Sequence, residues 1–218
     1  MTGSARASSF PDVPGRATAA VEAVRRHPAV AVVVAAYLVG LGVYGTVTGS
    51  RLTVPYVVIV TVAFGGLAVA DTRFRFSRVV LVGLTLWGLG HLAGGIVELD
   101  GGDRIFYNVV FGRWFHVDNI VHFVGFGTAG LACWEALRAK WLGDTEVGPV
   151  ATVAFVAILG CGVGAVNEVV EFAFTLVVAD SQVGGYQNTG RDLVANLLGG
   201  LTAGLYAVQR ELFEERPP

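Results

Sequence analysis

Residues 149–178 read PVATVAFVAILGCGVGAVNEVVEFAFTLVV. Only Glu168 and Glu171 are charged in this stretch, and the chain before Glu168 is uncharged back to residue 147. About 20 apolar residues cross a bilayer as a helix, so the stretch predicts a membrane helix with an acidic edge. An ionisable side chain at bilayer depth costs ~2.5–3.5 kcal/mol on insertion scales and marks a site by default.

Five further apolar runs flank it, at roughly 29–48, 53–70, 78–97, 118–137 and 192–209. The chain is 54% hydrophobic and 15% charged, against about 25% charged for a soluble domain. The predicted fold is an all-α polytopic bundle of six transmembrane helices. Residues 1–27 are expected to be a mobile cytoplasmic tail, 28–210 the membrane domain and 211–218 a short cytoplasmic tail. The net charge of −2 gives no reason to expect nucleic acid as a partner; membrane lipids are the expected surroundings. Cys133 and Cys161 lie in apolar runs and read as small buried hydrophobes, neither a disulfide nor a zinc pair.

Loop charge sets the orientation, because basic residues mark the cytoplasmic side. The N-terminal tail, the second and fourth loops and the C-terminus hold eleven of the fifteen basic residues. The alternate loops hold four, Arg51, Arg104, Arg113 and Arg191. Both termini are therefore expected in the cytoplasm. The third loop, 98–117, is dense in aromatics and predicts an amphipathic stretch lying on or dipping into the outer face. A plain loop cap on the bundle is the alternative.

Polar residues fall at one depth. His91 lies about 12 residues into the third run, or ~18 Å along a helix. Asp118 and His122 open the fourth run at its outer end. Glu168 lies about 18 residues into the fifth, or ~27 Å, and Asp192 and Asn196 open the sixth. Positions three or four apart share a helix face, which applies to Asp118 with His122, Asn167 and Glu168 with Glu171, and Asp192 with Asn196. Four helices thus carry polar edges to one outer-leaflet layer.

Asp118, Glu168, Glu171 and Asp192 bring four carboxyls, opposed by His91 and His122 if protonated and by Arg113 and Arg191 at the rim. Protons or a bound cation must neutralise the excess. Imidazoles with carboxylates suit Zn, Mn or Fe better than Ca or Mg. The candidate ligands are His91, Asp118, His122, Glu168, Glu171 and Asp192, with Asp118, Glu168 and Glu171 as candidate catalytic groups. Arg113, Arg191, Asn167, Asn188 and Asn196 are candidate substrate-binding residues. Plainer roles exist for each kind: a packing histidine at 91, helix caps at Asp118 and Asp192, rim charges at the arginines. The clustered glycines, such as Gly160-x-Gly162-x-Gly164 and Gly199-Gly200, read as close-packing positions.

His91-Leu-Ala-Gly-Gly, Asp118-x-x-x-His122, Asn167-Glu168-x-x-Glu171 and Asp192-x-x-x-Asn196-x-x-Gly199 resemble the uncharacterised YjdF-type inner-membrane proteins over residues 78–205. The last helices also resemble the VanZ-like family, linked to glycopeptide resistance. These resemblances imply a multi-pass protein of the cell membrane of a bacterium or archaeon, and an antibiotic as one possible ligand class. Three functions are open to these residues: a metal-dependent hydrolase or transferase acting on a lipid or lipid-linked head group, a non-catalytic binder of an envelope lipid or, as the VanZ-like resemblance implies, an antibiotic, and a transporter. Transport would need the polar groups to continue inward, and the cytoplasmic halves of the runs are apolar.

Overall fold

A computed structural model describes residues 16–102, 104–178 and 184–214. Its helices are α1 (Arg16–Arg26), α2 (Pro28–Thr48), α3 (Thr53–Phe74), α4 (Arg78–Ile96), α5 (Val117–Leu137), α6 (Pro149–Val177) and α7 (Tyr186–Glu214). Proline opens α2 and α6, where its missing N–H costs nothing. Ser77 caps α4, its hydroxyl accepting from the Val80 N–H. Gly49, at φ 77°, closes α2 in the left-handed conformation that suits glycine. A single π turn, residues 138–142, ends α5.

Five helices, α2 to α6, are long and apolar enough to cross a membrane. The sixth expected run, 192–209, lies inside α7, which is longer and more polar, with Arg191, Asp192, Arg210, Glu211 and Glu214 along it. It is not among those five, yet it packs lengthwise against both α5 and α6. Large apolar side chains on the outer faces remain exposed, among them Val47, Val54, Val150, Ile158 and Phe172. Such surface suits hydrocarbon rather than water.

The α5–α6–α7 unit is tight because glycine sits where backbones meet. A Cβ on Gly127 would strike the Gly199 backbone, and one on Gly160 the Phe126 carbonyl. This is the small-residue packing expected between membrane helices. It matters for function because it pulls the polar edges of three helices together. At one end of the bundle, Phe76, Val80, Leu131, Trp134, Val156 and Ala207 form one apolar core. At the other end, Tyr56, Leu92, Ile96, Ile105, Tyr107 and Val121 form a second.

Three stretches carry structure beyond the expectation. Residues 1–27 are expected as a tail, but Arg16–Arg26 forms α1, lying along α3. An ion pair holds it there: Arg26 Nη1 lies 3.0 Å from Asp71 Oδ2, a carboxylate 1% exposed near the end of α3. His27 Nε2 adds a second contact at 3.2 Å to the same carboxylate, and Ala23 is buried beside it. The expected C-terminal tail is helical to Glu214; residues 1–15 and 215–218 lie outside the described residues. The 98–117 loop is two short hairpins. β1 (Glu98–Leu99) pairs with β2 (Arg104–Ile105), and β3 (Val110–Phe111) with β4 (Phe115–His116). Ile105 and Tyr107 are buried in the core, whereas Phe111, Trp114 and Phe115 are exposed. The segment is thus both a plug on the bundle and an outward aromatic edge.

Candidate functional site

Three helices bring their polar edges to one buried layer. α5 supplies Asp118, Asn119 and His122, α6 supplies Asn167, Glu168 and Glu171, and α7 supplies Asn188, Asp192 and Asn196. Each set repeats at three or four residues, so it occupies one face of its helix. Asp192 and Asn196 are fully buried, and Asp118, Asn119 and His122 nearly so.

Amide groups hold the carboxylates. Asn188 Nδ2 donates to Asp192 Oδ2 at 2.6 Å and to Asp118 Oδ2 at 3.2 Å, joining α5 to α7. Asn119 Nδ2 donates to Asp192 Oδ1 at 2.7 Å. Asn167 Nδ2 donates to Glu171 Oε1 at 2.7 Å along α6.

His122 is the centre of the layer. Its Nδ1 lies 3.1 Å from Asn196 Oδ1 and 3.7 Å from Glu168 Oε1. Its Nε2 lies 3.5 Å from Asp118 Oδ1 and 3.9 Å from Glu171 Oε1. An amide oxygen only accepts, so the bond to Asn196 assigns a proton to Nδ1. In the neutral ring, Nε2 then presents its lone pair to two carboxylates. Two overlapping sets can hold a cation, Asp118–His122–Asp192 and His122–Glu168–Glu171, each with one ligand atom per residue and all within 4.8 Å of one another. In a tetrahedron with bonds of ~2.1 Å the ligands stand about 3.4 Å apart. The 3.5 Å His122–Asp118 pair already matches, and the 3.9 Å His122–Glu171 pair needs to close by about half an ångström.

His91 stands outside both sets. Tyr107, from the turn after β2, hydrogen-bonds its Nδ1. Trp87 stacks on its ring with centroids 5.1 Å apart, and Tyr56 lies 4.9 Å away. Burial first, and nearby Tyr56 and carboxylates after it, push the Tyr107 phenol well above its ordinary pKa. Tyr107 is therefore the donor in this bond and the imidazole the acceptor. The glycines that follow His91 now have a purpose. A Cβ on Gly94 would collide with the Tyr107 ring, and one on Gly95 with the Tyr56 ring. The His-x-x-Gly-Gly pattern builds a seat for two tyrosines.

The arginines do not reach the carboxylates. Arg113 is exposed in the turn between β3 and β4. Arg191 Nη1 lies 2.7 Å from His116 Nε2, an acceptor at the N-terminus of α5. Four carboxyls therefore share a layer with one imidazole. Glu168 Oε1 and Asn196 Nδ2 are also buried without a hydrogen-bond partner among the described residues. A small cavity of ≈ 20 Å³, room for about one water, opens between Tyr56, Tyr107, Asp118, Glu171 and Asn188.

Sequence patterns missed Asn119, His116, Tyr56 and Tyr107. Asn119 was findable, since it sits three residues before His122 on the same face. Tyr56 and Tyr107 give no such signal, because only the folded hairpins and α3 bring them to His91. Two further inward charges, Asp71 of α3 and Glu135 of α5, lie at the helix ends far from this layer. Glu135 pairs with Arg210 at 2.7 Å and accepts from the Ser77 N–H at 2.9 Å.

Residues 27–211 match the family described as "Predicted membrane protein (DUF2238)", and the chain belongs to that family. No curated protein and no solved structure matches it.

Proposed function

We propose that this family member binds a divalent cation in the α5–α6–α7 layer and uses it to hydrolyse or transfer a lipid or lipid-linked head group. The reading takes the protein as six-spanning, with α7 as the sixth span, in the cytoplasmic membrane of a bacterium or archaeon. The excess of basic residues in the tails and alternate loops supports both termini inside, which puts the polar layer at outer-leaflet depth.

One observation carries the reading: His122 Nε2, with Nδ1 held by Asn196, faces Asp118 and Glu171 at 3.5 and 3.9 Å. An oriented neutral imidazole among carboxylates is a ligand set for Zn, Mn or Fe, and the amide behind it is the kind of group that orients a metal-bound histidine. Asp118, His122 and Asp192, or His122, Glu168 and Glu171, would be the ligands. A cation there also removes the charge imbalance of the layer. The bound ion would polarise a phosphoryl or ester oxygen and activate water. With the ion in the first set, Glu168, whose buried Oε1 lacks a hydrogen bond among the described residues, would take the proton from that water. The ≈ 20 Å³ cavity beside Asp118 and Glu171 admits a water or a single oxygen atom of a substrate, not a whole head group. The head group would rest at the cavity mouth, near Asn188.

A second reading, a binder of an envelope lipid or antibiotic without turnover, is favoured by the amides. Asp118, Asp192 and Glu171 each already accept from asparagine, as carboxyls in a purely structural network would. Metal content separates the two. Protein purified without chelator should carry a divalent metal and cleave or transfer phosphodiester or ester head groups from outer-leaflet lipid substrates in a metal-dependent way. Metal-free protein that binds such lipids without turnover supports the second reading.

A further inference from the structure

We propose that the β3–β4 hairpin is a docking element for phospholipid head groups, seated on the leaflet next to the polar layer. The inference rests on the membrane spans alone and holds with or without a metal in the site.

Chain position comes first. β4 runs directly into α5 at Val117, where a membrane span begins, so the hairpin lies at the level where hydrocarbon gives way to head groups. The side chains are then sorted by direction. Upstream, Ile105 and Tyr107 are 3% and 7% exposed, whereas Phe111, Trp114 and Phe115 are 52%, 71% and 62% exposed. Aromatic side chains, Trp above all, prefer the head-group level, where an apolar ring and a polar edge are both satisfied. The tip is Gly112-Arg113, with Gly112 at φ 68° making the tight turn. Arg113 is exposed in that turn and matches lipid phosphate in charge and in its forked donor geometry. Aromatic flanks with a guanidinium at the tip suit the phosphate region of a bilayer.

The hairpin is also tied to the site. The backbone N–H of His116, the last residue of β4, donates to Asn119 Oδ1 at 2.9 Å, and Asn119 Nδ2 donates to Asp192. Arg191, next to Asp192, bonds the His116 ring. Seating the hairpin on lipid therefore fixes the end of α5 that carries Asp118 and orients Asp192.

Nitroxide depth measurement on the full chain in vesicles tests this. In a Cys133→Ser, Cys161→Ser background, labels are placed singly at Phe111→Cys and Phe115→Cys, with Asp144→Cys as an aqueous control. Labels at 111 and 115 should be more accessible to oxygen than to a polar nickel chelate, and the control the reverse. In phosphatidylglycerol vesicles, Arg113→Glu should move the 111 label toward water. Labels at 111 and 115 as exposed to the nickel chelate as the control would overturn the proposal. So would a short label-to-label distance between chains, which would mean that a second copy covers the hairpin.

Discussion

His122 and Asn196 form one bond between α5 and α7, Nδ1 to Oδ1 at 3.1 Å, and that bond decides which ring nitrogen faces the acidic layer. If Asn196 only orients the imidazole, Asn196→Ala should weaken metal affinity by roughly 10–100-fold while leaving the ligands in place. His122→Ala should abolish binding at the same concentrations. Isothermal titration with Zn or Mn on chelator-stripped protein reads both, and equal losses in the two variants would count against the division of roles.

Gly164 is the floor under Asn196. A Cβ there would collide with Asn196 Nδ2 and Cγ, and the amide is fully buried with little room to yield. Gly164→Ala should destabilise the protein by about 1–3 kcal/mol and lower metal affinity with it. Gly162→Ala, which meets no neighbour, is the control in thermal unfolding. Matching melting temperatures for the two variants would contradict the packing assigned here.

The Tyr107–His91 pair should be structural. Tyr107→Phe leaves a buried imidazole nitrogen without its donor and should cost about 1–3 kcal/mol in thermal unfolding, with metal content unchanged. Loss of metal in His91→Ala at retained fold would restore His91 to the ligand set that sequence alone suggests.

Asp71 should be the anchor of α1. It is 1% exposed and accepts from Arg26 and from the Phe76 N–H. Asp71→Ala leaves both donors behind, so a loss of about 3 kcal/mol is expected, with faster proteolysis near α1. Unchanged melting and cleavage would show that the contact contributes little.

Much of this architecture was legible in the chain, for identifiable reasons. Apolar runs and loop charge define spans directly, and the observed α2 to α6 begin and end within a few residues of them. The i, i+3 and i, i+4 spacing of Asp118, His122, Glu168, Glu171, Asp192 and Asn196 placed them on helix faces, and those faces do meet. What spacing cannot encode is rotation between helices and contributions from non-periodic segments. His91 turns to Tyr56 and Tyr107 because the hairpins bring Tyr107 down beside it. Arg191 is taken by His116, and Arg113 points away at a turn tip. α1 is tied to α3 by contacts of Arg26 and His27 with Asp71, about 45 residues away, which no local window can see. α7 starts earlier than its apolar run because Asn188 and Asp192 belong to one helix face, one turn apart, bonded to each other.

Orientation is tested by thiol labelling. Both termini inside would put Arg113 outside and the turn at Asp144 inside. In intact cells, Arg113→Cys should react with an impermeant thiol reagent, and Asp144→Cys only after permeabilisation. The reverse pattern would place the polar layer at the inner leaflet.

Elemental analysis of the purified protein is the most direct test of the metal centre. Wild-type protein prepared without chelator at neutral pH should carry a near-stoichiometric divalent transition metal. The metal should fall away on acidification, because protons compete for imidazole and carboxylate, and should be absent from His122→Ala. Wild-type protein holding no more metal than the His122→Ala variant would contradict the account.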